Sequence, residues 1–411
     1  MRVLWLLLIA SIMIHADELD FLDEIDSDVG VFEEKKNTID ARVKLSFQKN
    51  EIEDDDRILY LRLGKQEKNY SYDVRLIADE DKQSLNIKEL YYKGSFAETS
   101  FYEVGRINIK EGVARGYNPT DYFKGSYSLT LSSDPKERKE NRLGALLFSE
   151  TLFLDKFTVK GIYSPKVSVS KNNLLSDTKY IGLHLDESNY HDRASLYVDY
   201  SGFKDVSSSM IFHLNEDDLN FGFNLSFVYE SWIMYLENSL KYAKNDINKM
   251  QVHPDIKKSF EKEKAYIDQA TLGFNYTSES NIVTTVEYIF NSGGLDSDDW
   301  DDWFRLSKNP FFAGELGGIR ESLVKNETIL SQQSLFLLSR ASDIQTNLDA
   351  SFLAWVNPYD GSSLSQVGFE YAYDDSLQTN LFVRNYQGKK ESEYGSALND
   401  YEVLIEAEYF F

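Results

Sequence analysis

The chain of 411 residues carries 68 acidic and 44 basic residues, a net charge of −24, and has no basic block able to neutralise phosphates, which excludes nucleic acid as a partner. It contains no cysteine, so neither a disulfide framework nor a thiolate metal site is available. Mean hydropathy is −0.44, and no segment after residue 16 approaches the ~20 apolar residues of a spanning helix, so insertion as helices is excluded too.

Residues 1–16 read as a signal peptide: Arg2 precedes the apolar run Val3 to Ile14, and cleavage is expected after Ala16. Residues 17–37 form an acidic periplasmic arm. Phe21, Leu22, Ile25, Val29 and Phe32 are spaced there for one short amphipathic helix, far too little for a globular plug.

From residue 38 onward the chain alternates. Val43, Leu45 and Phe47 oppose Arg42, Lys44 and Ser46; Leu59, Leu61 and Leu63 oppose Tyr60 and Arg62; Tyr72, Val74 and Leu76 oppose Asp73 and Arg75. Similar runs occupy roughly 85–94, 96–109, 141–150, 154–163, 178–186, 190–200, 208–216, 219–230, 232–242, 268–278, 281–290, 332–341, 347–357, 364–374 and 377–387. The last is Tyr401 to Phe411, YEVLIEAEYFF, with apolar odd positions and Glu402, Glu406 and Glu408 among the even ones. A period of two puts one face of each strand in an apolar setting and the other in water. Each run has the ~9–11 residues of a tilted membrane crossing, and 27 Tyr with 26 Phe suit two interfacial girdles. The expected fold class is all-β, a transmembrane antiparallel up-and-down β-barrel filling 38–411.

The runs number nineteen, whereas single-chain barrels of this kind have even strand counts. Counted from either end, the long connections 109–141, 164–177, 243–267, 291–331 and 387–401 fall on the external side. The two counts clash only between about 178 and 231, so one run there is miscounted. About 18 strands are expected, with 16 or 20 as alternatives.

Alternation also assigns a lumen-facing set. Its basic members are Arg42, Lys44, Arg62, Arg75, Lys88, Arg106, Arg142, Lys156 and Lys160; its acidic members are Glu237, Glu287, Asp349, Glu370, Glu402, Glu406 and Glu408, with Arg384 among them. A basic arc facing an acidic arc across water would create a transverse field that sorts solutes by polarity. Closure would also set the first strand beside the last, where Arg42 or Lys44 pairs with Glu402, Glu406 or Glu408.

The most distinctive local sequence is Tyr102 to Gly125, YEVGRINIKEGVARGYNPTDYFKG. Asn118-Pro119 forces an extended residue before a turn that Asp121 can cap. Tyr117, Tyr122 and Phe123 add apolar mass that suits a connection folding inward to constrict the pore. The terminal strand, ending in Phe411, resembles the C-terminal strand of bacterial outer-membrane barrels, where it signals to the insertion machinery. Gly105, Arg106, Asn118, Pro119 and Asp121 resemble the Gly-Arg strand end and Asn-Pro-x-Asp turn of porin-like barrels related to alginate-export channels. Where some of those have Trp-Gly between the two halves, this chain has Glu111-Gly112.

In 291–331, Trp300, Trp303, Phe304, Phe311 and Phe312 are too many aromatics for a bare loop, and docking on the barrel rim is expected. The acidic runs 51–56 and 296–302 read as solvated loop surface, with a divalent-cation site as the sharper alternative. No phosphate loop, nucleophile elbow or zinc-like set occurs. His184, His191, His213 and His253 show no orienting third group beside a serine. No catalysis, cofactor or metal is expected. The expectation is a porin-like channel in the outer membrane of a Gram-negative-type bacterium, passing small hydrophilic solutes. Its partners would be outer-membrane lipid, lipopolysaccharide and the barrel-insertion machinery, with a homo-oligomer left open. The alternatives are a loop-plugged surface-binding or structural barrel, or a polysaccharide exporter.

Overall fold

The computed structural model describes residues 39–50, 56–67, 69–78, 83–124, 135–168, 181–216, 218–243, 247, 250, 252–260, 265–325, 328–396 and 400–411. The expected signal peptide, the acidic arm and all but the last residue of the acidic run 51–56 lie outside these residues.

Nineteen strands form one sheet. They are β1 (Ile39–Asn50), β2 (Asp56–Gln66), β3 (Tyr70–Ala78), β4 (Gln83–Ala97), β5 (Ser100–Ile107), β6 (Ala145–Phe153), β7 (Phe157–Ser164), β8 (Ile181–Gly182), β9 (Arg193–Tyr200), β10 (Val206–Asn215), β11 (Asp218–Tyr229), β12 (Trp232–Ala243), β13 (Ala265–Thr277), β14 (Ile282–Asn291), β15 (Gln333–Gln345), β16 (Leu348–Val356), β17 (Ser363–Ala372), β18 (Leu377–Gln387) and β19 (Tyr401–Phe410). All but β8 build a closed antiparallel barrel of 18 strands. It is sealed by β1 against β19, from Arg42↔Phe410 to Asn50↔Glu402.

The run at 178–186 is the miscounted one. β7 pairs directly with β9, and the run contributes only the two residues of β8, which lie parallel to β4 at Leu85 and Asn86. Among its described residues, Leu185 is buried.

Alternation decides which side chains meet the outside. On β19, Ile405 is 50% exposed on the outer face and Glu406 6% exposed on the inner face. The same division holds for Val286 and Tyr288 against Glu287, and for Met210 and Phe212 against Ile211 and His213. An apolar exterior continuous around a closed barrel is what hydrocarbon requires, since every strand's backbone is paired and no edge is left. Near the short turns, Phe96 stacks on Tyr102 at 4.4 Å and Trp232 meets Tyr276 at 4.4 Å, part of an aromatic girdle at that level. The turns themselves are tight. Glu230, Asn281 and Asn347 take positive φ, which a polar side chain tolerates in such positions.

Every long connection lies at the opposite end, and several fold together there. Helices α1 (Pro135–Glu140) and α2 (Leu185–Ser188) are short. Helices α3 (Pro254–Ser259), α4 (Ser297–Ser307) and α5 (Pro310–Lys325) share an apolar cluster containing Ile256, Phe260, Trp300, Trp303, Leu306 and Leu316. Trp303 Nε1 donates to the Glu391 carbonyl at 3.0 Å, tying in the β18–β19 connection. The acidic run at 296–302 is therefore helical. Asp296 caps α4 and Asp299 returns the bond in a capping box, which satisfies the free amides of the first turn.

Candidate functional site

The site is the interior where the described parts of the β5–β6 connection, residues 108–124 and 135–144, enter the barrel. At its start, Gly105 at φ +137 passes close to β4, where a Cβ would lie 2.4 Å from the Leu90 carbonyl. Arg106 pairs in register with the exposed Leu90 and Leu146 yet is itself buried, donating to the carbonyls of Gly144 at 2.8 Å and Leu183 at 2.5 Å.

The inward connection is held by two carboxylates from the far wall. Glu237 on β12 accepts the amides of Val113 at 2.5 Å and Ala114 at 2.7 Å. Glu287 on β14 accepts those of Arg115 at 2.6 Å, Gly116 at 2.9 Å and Tyr117 at 3.3 Å, and the Tyr235 hydroxyl at 2.5 Å. A carboxylate taking successive backbone N–H groups neutralises donors that a buried loop could not otherwise satisfy. Gly112, at φ +81, lets the backbone approach, because a Cβ there would stand 2.7 Å from Glu237 Oε1.

The Asn118-Pro119-Thr120-Asp121 turn completes the attachment. Asn118 Oδ1 accepts the Thr120 amide at 3.0 Å, and Asn118 Nδ2 donates to the Glu111 carbonyl. Asp121 pairs with Arg142 at 2.8 Å, both fully enclosed. Tyr122 bonds Ser239 at 2.9 Å and lies parallel to the His213 ring, centroids 4.6 Å apart. Phe123 is buried with the Arg193 guanidinium 4.7 Å above its ring. The constriction residues expected from sequence thus meet in one body inside the barrel.

The charged lumen set divides differently from the expectation. Glu287 lies on the inner wall under the loop, Arg142 belongs to the loop itself, and Arg106 is buried near the end of β5, so all three brace the connection instead of facing water. Arg62 and Arg75 do gather, around an aspartate that the sequence reading left out of the set. Asp73 lies 3.2 Å from each of Arg62, Arg75 and Lys88. Asp40 extends the row, 2.6 Å from Arg42 and 3.3 Å from Arg62. Both aspartates stand two residues before an arginine, Asp40-x-Arg42 and Asp73-x-Arg75. Side chains at that spacing share a strand face, so the pattern was there to be read.

The acidic arc is the basic arc's neighbour, not its opposite. Across the seam Lys44 meets Glu406 at 2.6 Å and Arg42 approaches Glu408 at 3.7 Å. Glu402 pairs with Arg384 at 3.1 Å. Asp349 and Glu370 stand directly opposite each other on β16 and β17, and Asp349 accepts the Asp343 amide at the nearby turn. The field these charges make runs around the wall. Ser195 Oγ and His213 Nδ1 are 2.7 Å apart, but both are buried beneath Tyr122 and Phe123 and pack the loop.

No family model matches the chain, and no curated protein matches it. Solved structures do. Pseudomonas aeruginosa OccK11 (OpdR) is 9% identical with a TM-score of 0.53, covering 91% of this chain and 95% of its own. Pseudomonas aeruginosa OccK10 (OpdN) is 9% identical with a TM-score of 0.51, covering 92% and 99%. The likeness is one of fold. It extends over 91% to 92% of this chain.

Proposed function

We propose that this chain is a passive channel for small hydrophilic solutes, set in the outer membrane of a Gram-negative-type bacterium. The observation that carries the reading is the inward segment 108–124 of the β5–β6 connection, bonded through its backbone at 113–117 to Glu237 and Glu287. A connection that only decorated the surface would have no need of buried carboxylates on the far wall. One that narrows a path needs to be held against flow and thermal motion. Beside it, Arg42, Arg62, Arg75 and Lys88 outnumber Asp40 and Asp73, so the path skirts a wall with surplus positive charge.

The apolar belt makes lipid and lipopolysaccharide the surrounding medium, and the exposed aromatic Tyr409 in the terminal strand suits contact with insertion machinery. Nothing in this role calls for catalysis. Single-channel recording in a planar bilayer tests it. Stable open steps are expected, and neutralising Arg62 and Arg75 together should move the reversal potential toward cation selectivity. The cap formed by α3, α4 and α5 supports one competing reading, a loop-plugged surface-binding barrel. Silent bilayers from protein that runs as an intact heat-modifiable barrel would favour it.

A further inference from the structure

We infer that the bay between the inward connection and strands β9–β11 is a subsite for a small uncharged polyhydroxylated solute of monosaccharide size. The inference rests on the channel reading and names the class of solute that would pause on its way through.

The bay encloses about 260 Å³, near the lower end of small-molecule pockets. Its roof is the segment Lys110 to Val113, and its wall is the inner face of β9, β10 and β11. Cross-strand register sets two polar rows on that wall. Ser209 stands between Asp199 and Asn224 in one row, and Ser207 faces Ser226 in the next. Directly paired side chains have Cβ atoms ~4.5–5.5 Å apart, so one ring-sized solute can meet several hydroxyl, amide and carboxylate groups together.

The groups that reach the bay are those of the two rows. Ser207 is exposed on the inner face, and Asp199, Ser209, Asn224 and Ser226 are half-buried there. They offer hydroxyl donors and acceptors, an amide and a carboxylate, which the hydroxyl groups of a solute satisfy in either role.

The charge balance decides against an ionic solute. Lys160 is closed against Glu111 at 2.8 Å. Lys160 lies outside the lining but offsets its Glu111, and Lys110 and Asp199 add one charge of each sign, so the charges at the bay balance. The surplus cations of the barrel sit on β1–β4, on a different arc. An anion would be drawn there, leaving this wall to solutes recognised by hydroxyl groups alone.

The test uses the full-length protein in planar bilayers in KCl, with D-glucose and the similarly sized anion gluconate as probes. Glucose should interrupt the open current in proportion to its concentration, and more strongly than gluconate. Asn224→Ala with Ser226→Ala should raise the glucose blocking constant about fivefold, the effect of one ordinary hydrogen bond, measured against that variant's own open current. Open KCl steps that glucose leaves untouched, or that gluconate blocks more strongly, would overturn the subsite and leave the channel standing. A blocking constant unmoved in the double variant would overturn it as well. Absence of KCl steps from protein with intact heat-modifiable mobility would overturn the channel reading, and the subsite with it.

Discussion

Glu287 on β14 holds the Gly116 amide of the inward connection at 2.9 Å, from 171 residues farther along the chain. Together with Glu237 it turns a polar loop, which would otherwise carry unsatisfied amides into a buried setting, into a fixed part of the wall. Replacing Glu287 with Gln keeps one acceptor but loses the charge. Hydrogen bonds to charged groups contribute ~1.5–3 kcal/mol each, so the loop should loosen without the barrel unfolding. Single-channel conductance should rise and become noisier. Unchanged conductance and noise in Glu287→Gln would show that the carboxylate does not hold the constriction.

Asp73 is the centre of a cluster with Arg62, Arg75 and Lys88. Its loss leaves three cations, each 3.2 Å from the missing carboxylate, with less to balance them. Removing one member of such an enclosed set costs about 3–5 kcal/mol. Asp73→Asn should lower the temperature at which the barrel loses its compact gel mobility and shift selectivity toward anions. The paired Arg62 and Arg75 replacement moves selectivity the other way. A selectivity change of the same sign in both would refute the charge assignment.

Gly105→Val tests the close approach of β5 to β4. A Cβ 2.4 Å from the Leu90 carbonyl cannot be accommodated without moving backbone, and positive φ adds about 1–3 kcal/mol of strain for other residues. The expected result is a markedly less heat-stable barrel. Wild-type melting on a gel-shift series would argue against that close packing.

Glu393 links the external connections. It accepts Ser331 Oγ at 3.0 Å and Asn357 Nδ2 at 2.9 Å, and its amide donates to Asp360 at 2.7 Å. Burial, with the Asp360 carboxylate beside it, pushes its own carboxyl from 4.5 up to about 7. The folded cap therefore keeps a proton that the unfolded segment releases. This contribution is complete below about pH 4, is lost as pH rises through about 7, and amounts to roughly 3 kcal/mol at most. Proteolysis of the cap should be slower at pH 5 than at pH 8, and Glu393→Gln should flatten the difference. Faster cleavage at pH 5 in the wild type would contradict the sign.

The strands were legible because membrane and lumen impose opposite demands on successive residues, so Ile405 and Glu406 declare their faces in sequence. Alternation does not say what covers a face. That is why 178–186 reads as a crossing, why Glu287 reads as open lumen wall when the segment 115–117 lies against it, and why Arg142 reads as strand when it belongs to the connection before β6. Arg106 reads as lumen-facing too, and its burial depends on the carbonyls of Gly144 and Leu183, which alternation cannot show. The inward turn itself was visible in Asn118, Pro119 and Asp121, whose chemistry is local. Its anchors at Glu237 and Glu287 were not, since they lie more than a hundred residues away.

The seam has a consequence for assembly. β1 and β19 lie at opposite ends of the described chain, so their pairing waits until every strand between them is in place. Lys44 against Glu406 and Arg42 against Glu408 then act as a register check. A slip of β1 by one residue would turn Arg42 and Lys44 toward hydrocarbon, at about 2–4 kcal/mol for each charge near the midplane, and a slip of β19 would do the same to Glu402, Glu406 and Glu408 at a lower cost each. Closure in the wrong frame is therefore rejected by the lipid itself, and the ring proofreads its own last joint.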